Sequence, residues 1–310
     1  MTESTAIAGL APRQRRKWTA RLRAIVMRSE SLRGYALLSP TLIVMAFSMC
    51  LPFAFMVAMS FWTQHAFEID TAFTLANYGE AVTSSVYETL MVRSLIISGS
   101  CAAATVLISY PMAYYVAFHV HRRKLLWIIL MTLPFWTSYL LRVFAWKIIL
   151  GFNGVINSGL MSLGLIDQPL EYLLYSPSAV VITLTHAWAA FAILPIYVSL
   201  EKIDHSLLEA AADLGDGPAT RFLRVTLPLS LPGVIAAMLL IFVPTVGDYV
   251  TPALVGGPDG TMISIIIQAH FGKVNNWPMG AALAISMMLT VTVIAIVYIW
   301  VTRRVMGRIA

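Results

Sequence analysis

Long apolar runs alternate with short polar segments along this chain. Each run is close to or longer than the ~20 residues that cross a ~30 Å hydrocarbon core as an α-helix. The six runs cover residues 35–62, 90–118, 125–150, 179–200, 232–250 and 279–301. The pattern therefore predicts an all-α membrane protein with six transmembrane helices.

Composition agrees with this pattern. Hydrophobic residues make up 59% of the 310 residues and charged residues 12%, about half the ~25% that is usual for soluble domains. Cys50 and Cys101 both fall inside predicted spans, without the spacing of a disulfide framework or a metal site. We interpret both cysteines as small packing residues.

The basic residues are distributed unevenly between the two sides of a six-span topology. Seventeen of the 21 Lys and Arg lie on one side: eight in 13–33, and three in each of 122–124, 202–224 and 303–308. Cationic segments resist translocation, so this side is predicted to be the cytoplasm and to hold both termini. The net charge of +6 then reflects topology and gives no reason to expect nucleic acid binding.

The predicted organisation is a basic cytoplasmic tail (1–34), a six-helix transmembrane domain (35–302) and a short basic tail (303–310). The polar connections at roughly 63–89, 151–177 and 251–278 are predicted to be outer loops. On the cytoplasmic side, the connection 201–228 is far longer than a turn between two spans requires. It is the place where a cytosolic partner could dock.

This cytoplasmic loop has the sequence signals of two short helices. Ser206 and Glu209 have the spacing of a capping box, which predicts a helix start, and Gly215 suits the left-handed residue that ends a helix. Pro218 favours the first turn of a second helix, which the pattern ends at Pro228. The alanine-rich first helix could contact another protein closely, or the pair could lie flat on the bilayer surface.

The segment LEAAADLGDGPATRFLRVTLPLSLPG (208–233) resembles the EAA signature of permease subunits of binding-protein-dependent ABC importers. Val225 stands where that family more often has Ile. Four stretches are similar to the spermidine/putrescine-type branch: LPFWTSYLLRVFAWKIIL, YVSLEKIDHSLLEAAADLGD, GDYVTPALVGGP and NWPMGAALA. The resemblance extends over roughly residues 35–301.

The resemblance implies a type I importer permease in a bacterial inner membrane, a transporter and not an enzyme. The implied solute is a polyamine or a related amino-acid-like or opine-like compound, delivered by a periplasmic binding protein. The implied partners are a second permease subunit, expected to be a different chain, and two cytosolic ATPases. By position in the motif, the residues implied to contact the ATPases are Glu209, Ala210, Ala211, Asp213 and Gly215.

Nucleotide chemistry is expected to belong to those partners. The chain has no G-x-x-x-x-G-K-[ST] loop, so no ATP site of that kind is expected in it. ATP and Mg²⁺ would be bound by the ATPase subunits, and no cofactor is predicted for the permease itself.

The third predicted span carries aromatic and basic residues at helical spacing. Trp136, Tyr139, Arg142 and Trp146 would share one face of a continuous helix. A membrane-interface belt accounts for Trp146 and its neighbour Lys147. Arg142 lies deeper, where an unpaired cation costs roughly 2.5–3.5 kcal/mol on insertion scales, so it requires a partner or a wet cavity.

Asp248 is the one acid within a predicted span. It is either a counter-ion for Arg142, a ligand for a substrate ammonium group, or a residue of the solvated rim. The predicted substrate pathway comprises Trp136, Tyr139, Arg142, Asp248 and Tyr249, with the aromatic rings supplying cation–π surface. An arginine there would repel a polyamine and favour a zwitterion or an anion. His186 and Trp188 are interpreted as packing residues.

The sequence lacks features that two other classes of membrane protein require. A secondary transporter driven by an ion gradient would need several buried acids and broken-helix repeats. An intramembrane hydrolase would need a nucleophile and a base within reach, and His186 has no evident serine partner in the sequence.

Overall fold

The computed structural model describes residues 30–65 and 68–309. The predicted basic tail through residue 29 lies outside the described residues. Two compact units divide the chain, one ending at Ala58 and the other beginning at Met59. Helix α1 (Glu30–Met59) contains an apolar stretch, Leu37–Met59, long enough to cross a membrane. Since α1 begins at Glu30, the last residues of the predicted tail are helical.

A small polar substructure follows α1. Strands β1 (Thr63–His65) and β2 (Glu68–Asp70) pair antiparallel, and helix α2 spans Ala76–Thr83. Asn77 Nδ2 donates to the carbonyls of Ser60 (3.2 Å) and Trp62 (2.7 Å), which fixes the chain before the hairpin. The predicted outer loop between the first two spans is therefore structured.

The remaining elements of the second unit are helices joined by short connections. In chain order they are α3 (Ser85–Phe118), α4 (Lys124–Thr132), α5 (Tyr139–Ile149), α6 (Val155–Ser162), α7 (Pro177–Glu201), α8 (His205–Asp213), α9 (Pro218–Arg221), α10 (Leu227–Val246), α11 (Ile263–Gly272) and α12 (Trp277–Ile309). Short 3₁₀ segments occur at Leu133–Trp136 and Glu171–Leu173, and π-helical segments at Phe222–Thr226 and Pro252–Gly256. The predicted basic tail after residue 302 continues α12.

Helices α3, α7 and α10 form the centre of the bundle. Small buried residues such as Cys101, Ala192 and Ala237 let the helix backbones approach each other closely, as is common where membrane helices pack. At Gly233 the approach is extreme, because an added Cβ would lie 2.5 Å from the Pro195 carbonyl oxygen and closer still to Ser199 Cβ.

Hydrogen bonds between side chains and backbone reinforce this packing. Ser109 Oγ of α3 donates to the Ala189 carbonyl of α7 at 3.2 Å, and the hydroxyls of Tyr110 and Ser230 lie 2.8 Å apart. Polar side chains within a membrane bundle pair with one another because lipid offers no alternative partner.

The third predicted span is broken, contrary to the single helix that its composition suggested. Its two halves, Lys124–Trp136 and Tyr139–Ile149, meet at an angle of 81°. Thr137 and Ser138 adopt extended backbone angles (ψ 156° and 133°), which interrupts the helical hydrogen-bond ladder just after the 3₁₀ turn that contains Pro134. Non-helical backbone at membrane depth is tolerated where protein or a wet cavity surrounds it.

The predicted second cytoplasmic helix does not end at Pro228. Residues Pro218–Val246 form one continuous apolar helix. Just before Pro228, the Leu227 N–H donates to the Phe222 carbonyl in a π-helical pattern. This wider turn lets the helix continue across a proline that has no N–H to contribute.

Five of the described helices are long and apolar enough to span a membrane, and the broken pair makes up to six. The predicted outer loop 251–278 contains the additional apolar helix α11. With 10 residues, α11 is about half the length needed for a crossing. It packs with α12 in a second apolar cluster that includes Ile263, Met279 and Leu283.

Candidate functional site

Helix α8 begins at a different cap from the one predicted. Asp204 is the N-cap, and its Oδ1 accepts the Ser206 N–H at 2.9 Å. The bond from that N–H stabilises the charged carboxylate and lowers the pKa of Asp204. The predicted capping box between Ser206 and Glu209 is therefore wrong, because the helix starts one residue earlier, at His205.

The C-terminal end of α8 has the predicted glycine cap. Gly215 has φ +90°, and its N–H donates to the Ala212 carbonyl at 2.9 Å. The Asp216 N–H then donates back to the Ala211 carbonyl at 3.0 Å. This pair of bonds ends α8 sharply at a left-handed glycine.

Only part of the predicted contact surface of α8 is exposed. Glu209, Ala210, Asp213 and Gly215 are exposed, whereas Ala211 is buried at 8% exposure. Ala211 therefore belongs to the packing of α8, which corrects the prediction that it faces a partner. Next to the cap, Leu214 is 88% exposed, which no local sequence pattern indicates.

An ion pair, a hydrogen bond and an aromatic contact lie where this loop begins and hold its start to the bundle. Lys124 Nζ lies 2.9 Å from Glu201 Oε1 and also donates to the Ala117 carbonyl at 3.0 Å. The rings of Phe118 and His205 meet edge-on at 5.7 Å. The start of α8 is thus held against the ends of α3, α4 and α7.

A second feature is a cavity of about 370 Å³ beside the broken span. Its lining comes from α5, α7 and the end of α10. The lining residues are Tyr139, Arg142, Ala187, Trp188, Phe191, Pro244 and Asp248. Three aromatic rings and two opposite charges therefore share one small space.

Asp248 lies just after α10 and is held by neutral donors. Tyr139 Oη donates to Asp248 Oδ2, while Oδ1 accepts the N–H groups of Val250 (2.9 Å) and Thr251 (3.4 Å). Ser264 Oγ donates to the Asp248 carbonyl at 2.7 Å. These bonds fix the carboxylate in place without cancelling its charge.

Arg142 has a carbonyl and two rings as partners. Its Nη1 donates to the Ala187 carbonyl at 3.1 Å, and its Cζ lies 5.1 Å from the Phe135 ring centroid and 5.9 Å from that of Tyr139. Its Nε is buried without an acceptor. Among residues 30–65 and 68–309 the ion pairs are Lys124–Glu201 and Arg224–Asp216, so Arg142 and Asp248 do not form a direct ion pair, which was one of the three alternatives that the sequence left open.

Sequence comparison identifies the family to which this bundle and its loop belong. Residues 25–307 match the family model described as the binding-protein-dependent transport system inner membrane component. The chain belongs to this family. It is a multi-pass permease of the inner membrane, and the match gives no support to a secondary transporter.

Curated relatives of this permease are transport proteins. The chain is 34% identical over 259 residues to the spermidine/putrescine transport system permease protein PotB of Escherichia coli, covering 83% of this chain and 93% of the relative. It is 35% identical over 258 residues to the Haemophilus influenzae protein of the same name, covering 81% and 88%. It is also 34% identical over 221 residues to the Escherichia coli inner membrane ABC transporter permease protein YdcU, covering 67% and 70%.

Solved structures share the fold of this permease. A bacterial ABC transporter involved in the import of the acidic polysaccharide alginate superposes with a TM-score of 0.71 at 18% identity, over 92% of this chain and 99% of that one. The MetNI methionine ABC transporter gives a TM-score of 0.51 at 14% identity, over 74% and 100%. These likenesses support the type I importer permease fold that the EAA resemblance implied.

The predicted pathway residues divide into two groups in this permease. Tyr139, Arg142 and Asp248 line the same cavity. Trp136 is 78% exposed on the far side of the break at Thr137 and Ser138, so it does not share a helix face with Tyr139. Tyr249 lines a separate apolar groove between α10, α11 and α12.

Two residues that line the cavity, Trp188 and Phe191, were not among the predicted pathway residues. Trp188, taken as a packing residue, lines the cavity, and its Nε1 is buried without an acceptor. Phe191 lies one turn further along α7 and is 45% exposed. The spacing of three residues between Trp188 and Phe191 places them on one helix face, but this spacing does not show which face of the helix borders a cavity.

Proposed function

We propose that this permease takes up polyamines or related amine-bearing solutes as part of an ATP-driven importer. The main support is the identity of about one third, over most of both chains, to permeases of spermidine/putrescine transport systems. The acidic and aromatic lining of the cavity supports the same class, because carboxylates and aromatic faces both attract ammonium groups.

The proposed assembly contains this chain, a second and different permease subunit, two cytosolic ATPases and a periplasmic binding protein. Helix α8 is the proposed contact to an ATPase, through Glu209, Ala210, Asp213 and the Gly215 cap. The exposure of α8 and the hydrogen-bonded caps at its ends support this role, since a helix that transmits movement between subunits must have an accessible surface and stay folded. ATP and Mg²⁺ would be bound by the ATPases, and the permease itself would transport without catalysis.

Uptake by the reconstituted complex tests the proposed function. Proteoliposomes containing the assembled transporter, supplied with its binding protein, should accumulate labelled putrescine or spermidine when ATP is present on the ATPase side. A protonophore should leave the initial rate unchanged. Failure of every amine tested, or uptake that needs a proton gradient and no ATP, would contradict the proposal.

Leu214 offers a test of the α8 contact. An exposed leucine that becomes fully buried at an interface contributes about 1.5–3 kcal/mol, which is roughly a tenfold or larger change in affinity. We expect Leu214→Ser to reduce copurification of the ATPases by about tenfold without affecting membrane insertion.

The matched control for this test is Leu165→Ser. Leu165 is 66% exposed and lies in a predicted outer loop, so its replacement should leave the complex intact. Equal ATPase recovery with both variants would show that α8 does not use Leu214 for docking.

A further inference from the structure

We infer that the cavity between α5, α7 and α10 is a transit site for one ammonium group of the solute, in which Arg142 limits how tightly that group is held. The inference rests on the proposed uptake of amines and adds which residues hold the solute and why it leaves. It also assigns roles to Trp188 and Phe191.

Asp248 supplies the attraction. A carboxylate offers about four acceptor positions, and three are occupied by the donors of Tyr139, Val250 and Thr251. All three donors are neutral, so they orient the carboxylate and leave its negative charge uncompensated. An ammonium group entering the cavity would provide both the missing donor and the missing charge.

Three aromatic side chains form the walls around this acid. Tyr139, Trp188 and Phe191 line the cavity together with Asp248. An ammonium group close to an aromatic face gains cation–π energy, and the flat rings also accept the methylene groups of an alkylamine. A volume of about 370 Å³ lies near the lower end of the roughly 300–1,000 Å³ range of small-molecule pockets, which suits one end of a solute.

Arg142 supplies the opposing charge. Its Nη1 is tied to the Ala187 carbonyl and its guanidinium lies over the Phe135 ring, so it stays in the cavity wall. Its positive charge repels an ammonium group bound at Asp248, since no acid of the described residues forms an ion pair with it. A transport site must bind strongly enough to admit the solute and weakly enough to release it.

The position of the cavity links it to the loop 201–228, which carries α8, the proposed ATPase contact. Helices α7 and α10 form two of its walls, and the same two helices flank α8 in the chain. A displacement of α8 by an ATPase would therefore be transmitted along two rigid helices to the cavity walls. The transit site would open or close as the loop moves.

Thiol chemistry in the assembled transporter can measure the cavity's electrostatics directly. The exposed Cys50 is first replaced (Cys50→Ser), and Phe191→Cys places a thiol in the cavity wall. Reaction rates are compared for aminoethyl methanethiosulfonate, which is cationic, and sulfonatoethyl methanethiosulfonate, which is anionic. Leu194→Cys, one turn further on α7 and outside the cavity lining, is the matched control.

Charge variants in this background give the expected shifts. Adding or removing one unit charge near the thiol should change the cation-to-anion rate ratio by about fivefold or more. The ratio should fall with Asp248→Asn, rise with Arg142→Gln and stay near the original value with Asp248→Glu. At Leu194→Cys none of these changes should alter the ratio.

Protection by putrescine completes the test. Putrescine should slow labelling of Phe191→Cys. The putrescine concentration that gives half-maximal protection should fall about fivefold with Arg142→Gln and rise at least about fivefold with Asp248→Asn. Unchanged ratios in both charge variants would overturn the transit site, and so would equal protection with and without Asp248.

The same measurements separate this inference from the proposed function. Protection without ATP-dependent uptake would support the transit site and contradict amine import. Uptake without protection or charge preference would support import and overturn the transit site. If Asp248→Asn does not assemble, Arg142→Gln together with Asp248→Glu still decides the inference.

Discussion

Gly215 is the residue on which the end of α8 depends. Its φ of +90° lies in the region that side chains other than glycine and asparagine rarely adopt. A Cβ built there meets nothing within 4 Å, so the constraint comes from the backbone and not from packing.

We therefore expect Gly215→Val to weaken the end of α8, at a cost of about 1–2 kcal/mol for the left-handed conformation. Solute-stimulated ATP hydrolysis should fall while membrane insertion is retained. Gly215→Asn is the matched control, because asparagine tolerates the left-handed region and should retain most of the stimulation. Normal stimulation with valine would show that the cap is dispensable for coupling.

Whether two residues share a helix face depends on whether the helix between them is continuous. The spacing of Trp136, Tyr139 and Arg142 indicates a shared face only if the helix is continuous. The break at Thr137 and Ser138 separates Trp136 from the other two. Trp188 packs against the bundle core, as predicted, and also lines the cavity, which Trp136 does not.

At the scale of elements, a glycine allows α7 and α10 to cross at very close range in the central bundle. The Gly233 position lies against Pro195 and Ser199, with no room for a methyl group unless the helices separate. These are the two helices that flank α8 and form walls of the cavity.

We expect Gly233→Ala to force α10 away from α7 and to lower stability by about 1–3 kcal/mol, the usual cost of overpacking. The measurement is thermal unfolding of the purified complex in detergent. Gly99→Ala on α3 is the control, because an added Cβ there meets nothing within 4 Å and alanine favours a helix over glycine by up to about 1 kcal/mol. Equal melting curves for both variants would mean that the crossing relaxes at no cost.

Two departures from regular α-helix each lie next to a proline. The third span bends near Pro134, and the π-helical stretch precedes Pro228. Proline removes a donor in both cases, but one site bends by 81° and the other continues as a helix. The difference depends on whether neighbouring residues adopt extended angles or a wider turn, which proline alone does not decide.

For the whole molecule, the distribution of basic residues predicts how the chain is oriented in the membrane. The seventeen cations on one side predict that both termini are cytoplasmic. Five described helices are long and apolar enough to cross a membrane, and with the broken pair counted as a sixth span the number of crossings would be even, as this prediction requires.

We expect a reporter that works only in the cytoplasm to be active when fused after Ala310 and inactive when inserted near Asp70. A reporter that requires the outside should give the reverse pattern. The control is a second insertion near Asp167, which should match Asp70 because both lie in predicted outer loops. The opposite result at both ends would refute the predicted orientation.

The sequence by itself determined the membrane class, the approximate positions of the spans, the long connection at 201–228 and the family. These depend on local composition and on a motif within 26 residues, since any segment in hydrocarbon must be apolar and helical whatever its neighbours are. The glycine cap of α8 was predictable for the same reason, because its backbone geometry is set within a few residues.

Only the tertiary structure decided the 81° break, the burial of Ala211 and the membership of the cavity. Tyr139 and Asp248 are 109 positions apart, and Arg142 bonds to a carbonyl 45 positions away, so no local pattern could show which charges would meet. A buried charge takes whichever partner the packed helices bring within reach, and here α7 brings a carbonyl to Arg142 while Tyr139 reaches Asp248.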